Sequence, residues 1–162
     1  MRILHAATIE LDALFHQPGW EPLDDDTFRT RVAEAMEAPV WVVDGNYSVV
    51  REMVWERADT VVWFDLPYSV VMARTITRTV RRTVTRQELW NGNKEPWSNL
   101  YSLNPKKSII AWAATRHGVY RQRYGAAEHD PRWAGLRFVR LRSQREADAF
   151  LAEVTSTAST KE

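Results

Sequence analysis

Two short apolar runs, each closed by an aspartate and followed by a helical pattern, constrain the fold more than any other feature. Pro39-Val40-Trp41-Val42-Val43 stops at Asp44, and Thr60-Val61-Val62-Trp63-Phe64 stops at Asp65. Continuous apolar runs of this length suit strands buried on both faces, the kind found in parallel sheets. Parallel neighbours need a long crossover, usually a helix. After Asp44 such a helix follows, with Val50, Met53 and Val54 on one face. The alternation extends in both directions. A short strand around Thr8-Ile9-Glu10-Leu11 precedes a helix from about Asp25 to Glu37, whose first turn is acidic. Near the end, Leu136–Leu141 alternates as a strand, and Ser143-Gln144-Arg145-Glu146 reads as a capping box opening a last helix. Strands alternating with helices predict an α/β domain with a parallel sheet. Ligands in such sheets sit beyond the carboxyl ends of the strands, where Asp12, Asp44 and Asp65 fall.

The helix after Asp65 carries the chain's most unusual pattern. Arg74, Arg78, Arg82 and Arg86 recur every fourth residue, with Arg81 beside them and no acid between Asp65 and Glu88. Met72, Ile76, Val80 and Val84 form a second four-spaced stripe, predicted to be the buried face. Like charges at this spacing repel by about 0.2–0.5 kcal/mol per pair. Two readings stand at this point. The guanidiniums hold a phosphorylated ligand through their planar fork, or they form a solvated face with acids supplied from elsewhere in the fold. A second helix near Ser108–Tyr124 adds Arg116, Arg121 and Arg123. Three strand-end acids opposite a set of arginines fit a magnesium–phosphate site.

Composition narrows the classes. The chain has 162 residues and a net charge of +1, so the arginine helix is a local patch in a balanced chain. That argues against a general nucleic-acid binder, which shows a broad basic excess. Without cysteine there is no disulfide framework and no thiol chemistry. No apolar run approaches the ~20 residues of a membrane span and no signal peptide is visible, so the expectation is a cytoplasmic protein with no membrane partner. Residues 1–154 are read as one domain and 155–162 as a flexible tail. The four histidines lack metal-ligand spacing. Trp41, Trp63 and Trp112 are read as core, and Arg137, Arg140 and Arg142 as solvent-side charges. Asp65 is expected either to be a second magnesium-site acid or to cap the helix that follows it.

The segments LDALFHQPGW, WVVDGNYS, ADTVVWFDLP, RRTVTRQELWNGN, a SII-W helix and RFVRLRS together resemble, in order and over nearly the whole chain, one bacterial family. These are the topology modulation proteins, small P-loop kinase-like relatives of adenylate and shikimate kinases. The resemblance implies a P-loop NTPase, nucleotide-kinase-like parallel sheet flanked by helices, using ATP and Mg²⁺. It implies Asp44 as the aspartate that steadies the magnesium shell, and Asp12, Asn46 and Tyr47 on the acceptor side. Arg78, Arg82 and Arg116 would act on the phosphates, and Arg74, Arg86 and Ser143 would lie near the nucleotide. A lid would span about 86–105. Trp90 and Trp97 flank its polar turn, where they either anchor the lid or stack on a base, anchoring being favoured. The partners would be a nucleotide and a small-molecule acceptor.

One part of that pattern is missing. The chain has no glycine before Gly19 and no Gly-Lys pair, so the first strand and the Gly-x-x-x-x-Gly-Lys-Ser/Thr loop are absent. The expectation is that the native protein carries this unit upstream of Met1, and that the 162-residue chain by itself has no useful kinase activity. The apolar strands at Val40–Val43 and Thr60–Asp65 must then pair directly, or another copy fills the vacant position as a homo-oligomer. The alternatives are a catalytically dead binding or interaction protein and a DNA-binding protein that uses the arginine helix.

Overall fold

A computed structural model describes residues 6–159 as a mixed α/β protein with small parallel sheets flanked by helices. They fall into two compact units, one up to Asp59 together with the segment from Gln144 onward, the other from Thr60 to Ser143.

In the first unit, β1 (Ala7–Glu10) leads directly into the short α1 (Leu11–Phe15). Helix α2 (Asp25–Ala35) begins where the acidic run predicts, with the Asp24 side chain accepting from the Thr27 N–H at 2.9 Å. β2 (Trp41–Asp44) pairs in parallel with β1, in a register running from Ala7 opposite Trp41 to Glu10 opposite Asp44. α3 (Ser48–Arg57) follows the DGNYS turn. The core is Leu11, Phe28, Val32, Met36, Val50, Val54 and Trp55. Gly45 (φ +136°) is what lets the turn pass close to α1, because a Cβ there would meet Leu11 Cβ at 2.7 Å. The last helix, α7 (Gln144–Ser159), runs beyond Val154 into the segment read as a tail.

In the second unit, β3 (Thr60–Phe64) pairs in parallel with β4 (Arg137–Leu141), from Thr60 opposite Arg137 to Phe64 opposite Leu141. α4 (Tyr68–Val84) packs against α6 (Ile109–Ala127) and the short α5 (Ser98–Tyr101). Ser108 caps α6 by accepting from the Ala111 N–H at 3.3 Å.

Several expectations are corrected. β2 and β3 do not pair with each other; among the described residues each belongs to its own two-stranded sheet. Neither is buried on both faces, because two strands leave one face of each pair open: Val40, Val42, Val62 and Phe64 are all exposed. α4 does not bury its apolar stripe. Its buried line is Thr75, Thr79 and Thr83, whereas Ile76, Val80 and Val84 are exposed. Each threonine precedes an apolar residue by one position, so the helix is turned by about 100° from the apolar-in orientation. Trp112 is exposed and Trp41 half-buried; the tryptophans of the core are Trp55, Trp63 and Trp133.

Candidate functional site

The expected site residues gather into two groups, one in each unit. In the first unit, Asp12 stands in the first turn of α1, one helix turn before His16, and Tyr47 closes the DGNYS turn at the start of α3. The Tyr47 hydroxyl donates to Asp12 Oδ1 at 2.6 Å, and His16 Nε2 lies 3.3 Å from the same hydroxyl. Since the phenolic proton is committed to the carboxylate, Nε2 faces a lone pair and carries the imidazole proton. Phe15 and Phe28 pack on the Tyr47 ring, with centroids 4.8 and 5.2 Å away. Burial and the Asp12 bond hold the Tyr47 phenol far above the usual tyrosine range. Burial also lowers His16, against a smaller upward pull from Asp12. Asp44 is exposed as a residue, yet protein atoms crowd its carboxyl and raise its pKa, and the charges of Asp12 and Glu10 push the same way. Asn46 accepts from Arg51 through both Nε (3.3 Å) and Nη2 (3.0 Å), which fixes its amide orientation. Asp12, Asp44, Asn46 and Tyr47 thus form one local cluster. No three acids or histidines of the described residues converge as a metal-ligand set.

In the second unit, β3, α4 and α6 enclose a cleft of about 210 Å³. Its floor is Trp63, Phe64 and Asp65; α4 contributes Val71, Thr75 and Arg78; α6 contributes Trp112, Arg116, His117, Tyr120 and Arg121. Asp65 does not cap α4, whose N-cap position is Pro67 with no side-chain cap, and among the described residues no other acid lines the cleft. Its buried carboxylate accepts from Arg140 Nε (2.9 Å) and Nη2 (2.6 Å) on Oδ2, and Arg121 Nε lies 3.4 Å from Oδ1. Arg140 is therefore no solvent-side charge. Its guanidinium also covers the Trp63 ring at 4.4 Å, where Tyr124 stacks at 5.6 Å. His117 Nε2 is 3.0 Å from the Leu66 carbonyl, which can only accept, so this nitrogen bears the proton.

Arg78 and Arg116 differ from these paired arginines. They reach the same cleft from two packed helices, and among the described residues neither has an acidic partner. The rest of the row is engaged elsewhere. Arg82 Nη1 lies 3.8 Å from the buried Glu95 carboxylate, and Arg86 Nη1 donates to the Glu95 carbonyl at 3.3 Å. Arg74 is exposed on α4, and Ser143 lies half-buried after β4 outside the cleft lining. Glu95 is itself held by the Asn99 amide. Sequence reading did not single out Glu95, Asn99, Arg140 or His117 as structural partners. An isolated acid between Lys94 and Pro96 was the one available sign for Glu95.

No family model, curated protein or solved structure matches this chain. The functional reading therefore rests on the geometry of the two clusters.

Proposed function

We propose that this protein binds a small phosphorylated ligand, nucleotide-like in class, in the cleft of its second unit, as a P-loop kinase-like protein would. One observation carries the reading: Arg78 and Arg116, two guanidiniums without acidic partners among the described residues, line one cleft together with Trp112, Tyr120 and Phe64. Two like charges held near each other in a partly enclosed space favour an anion that shares them, and the fork geometry suits phosphate oxygens. The aromatic walls suit a flat ring on the same ligand. Asp65 is neutralised by Arg140 and Arg121, so it does not repel that anion.

The resemblance assigns Asp12, Asn46 and Tyr47 to the acceptor; they cluster in the first unit, and the cleft proposal does not depend on them. Asp44, whose carboxyl is crowded by protein atoms and lies near the charges of Asp12 and Glu10, would on the resemblance be the acid that steadies a Mg²⁺ ion through water. The sequence contains no Gly-Lys loop to cradle β- and γ-phosphates, so the proposal for this chain is binding; phosphoryl transfer belongs to a molecule that also carries that loop. What favours a small anion over DNA is that Glu95 engages Arg82 and Arg86, which interrupts the arginine row.

Titration calorimetry with inorganic phosphate, AMP and ATP, with and without Mg²⁺, tests the proposal. Binding of at least one phosphorylated compound is expected, weakened about 10–100-fold in Arg78→Ala and in Arg116→Ala, the loss that follows from removing a charge-assisted bond. Absence of binding, or binding indifferent to both substitutions, overturns it.

A further inference from the structure

Outside the cleft, the loop between α4 and α6 presents a surface that the proposed ligand site does not use. Trp97, Tyr101 and Leu103 are 54%, 76% and 93% exposed, and Leu103 is the most exposed large apolar side chain among the described residues. Large apolar groups usually leave water if the chain lets them. Here the chain does not, because the base of the loop is tied. The Ser98 hydroxyl donates to the Lys107 carbonyl at 3.0 Å, and the Ser108 hydroxyl donates to the Asn99 carbonyl at 2.9 Å. Asn99 Oδ1 then accepts from the Ile109 N–H at 2.8 Å. At the tip, Asn104 Oδ1 accepts from the Lys106 N–H at 2.9 Å, shaping a turn. Asn99 and Ser108 are buried, so the loop stands on a packed polar foot. Its outward side chains are pre-set in that position.

Charge accompanies this apolar tip. Lys106 and Lys107 are exposed, and among the described residues neither has an acidic partner. Between Lys94 and Lys107 the only acid is Glu95, which is buried and turned to Asn99 and Arg82. Every lysine of the chain except Lys161 lies at the edges of this segment, at positions 94, 106 and 107.

We propose that this loop docks the protein on an anionic lipid surface, with Trp97, Tyr101 and Leu103 entering the headgroup layer and Lys106 and Lys107 meeting lipid phosphates and carboxylates. Tryptophan and tyrosine favour the interfacial layer because one side of each ring is apolar and the other polar, while leucine gains from the acyl boundary below. A protruding leucine needs a shaped socket on a protein partner, whereas a fluid lipid layer needs none. Nucleic acid would reward the two aromatic rings by stacking but would leave Leu103 in water. Docking of this kind requires no spanning segment, in keeping with the absence among the described residues of a helix long and apolar enough to cross a membrane.

The test is co-sedimentation of the full chain with phosphatidylcholine vesicles with and without about one-third phosphatidylserine, at low and high salt. Binding to the anionic vesicles alone is expected, weakened by salt. The pair Lys106→Gln and Lys107→Gln should weaken it by roughly tenfold or more, each lysine contributing several-fold near such a surface. The pair Tyr101→Ser and Leu103→Ser should abolish it, and both pairs alter exposed side chains only, so folding is retained. No binding to anionic vesicles at low salt overturns the proposal, as does binding unaffected by either pair. Binding of a single-stranded oligonucleotide through the same residues, without vesicle binding, overturns it too. The ligand titration of the cleft is read separately, since none of these residues lines it.

Discussion

Asp65 shows how a residue's job is set by what reaches it. Its backbone N–H extends the β3–β4 ladder by donating to the Leu141 carbonyl at 2.8 Å, and its carboxylate meets Arg140 of β4 and Arg121 of α6. Buried and doubly paired, it is a charge that folding has already compensated. Asp65→Asn keeps the shape but leaves Arg140 with a neutral partner, so a loss of about 2–3 kcal/mol in urea unfolding is expected, below the full cost of a wholly buried pair because Arg140 keeps some solvent. Asp44 is the opposite case. The folded chain holds the proton on its carboxyl more tightly than the unfolded chain does, so ionising it costs folding free energy. That cost vanishes below the ordinary carboxyl range and is present in full at neutral pH. Asp44→Asn should therefore raise Tm by about 1–3 °C at neutral pH and leave it unchanged near pH 3, a contrast that calorimetry at the two pH values reads directly.

At the scale of the element, α4 inverts the usual helix. The side chains it buries are threonines, and the Oγ1 atoms of Thr79 and Thr83 are buried without a hydrogen-bond partner. A valine has the same shape without the hydroxyl, so Thr79→Val and Thr83→Val should each stabilise by about 1 kcal/mol, the penalty of an unmet buried hydroxyl. The same orientation makes Val80→Lys nearly neutral, within about 0.5 kcal/mol; a loss of several kcal/mol in unfolding experiments would show that the apolar stripe is buried after all. The end of α4 is equally particular. Arg86 stops the helix at φ +50°, while the Gln87 N–H reaches back to the Arg82 carbonyl at 3.1 Å. This is the αL closure that glycine normally supplies, so Arg86→Gly should keep or raise stability by about 0.5–1 kcal/mol despite removing a charge and the bond to Glu95.

At the scale of the molecule, each unit carries its own two-stranded parallel pair and its own cluster of polar side chains. The proposed ligand site lies wholly within the second unit. A saturating phosphorylated ligand should slow amide exchange in α4, α6 and the end of β3, because binding stabilises only the conformations that hold the cleft. Protection confined to β1, β2 and α3 would place the ligand in the Asp12–Tyr47 cluster instead. Such a two-stranded parallel sheet, with Val42 or Phe64 in water, is unusual, since parallel strands normally lie inside larger sheets covered on both faces.

Much of this was legible from the residues in order. The alternation of apolar runs and helical patterns located β1 to β4 and the long helices, because periodicity and capping are local properties: Asp24 and Ser108 cap where a short polar side chain can reach the first free amides. In the folded chain Tyr47 is hydrogen-bonded to Asp12, and Arg78 and Arg116 line one cleft. Three things were decided only in three dimensions. Which stripe of α4 is buried depends on the surface that α5 and α6 offer it, and three four-spaced stripes compete on one helix. Which arginines keep free guanidiniums depends on acids distant in sequence, with Glu95 engaging Arg82 and Asp65 engaging Arg140 across 75 positions. Which strands become neighbours depends on long-range backbone pairing, to which an apolar run contributes only the willingness to be a strand. Local chemistry determined the elements of this protein; non-local pairing determined which of their charges remain available to bind.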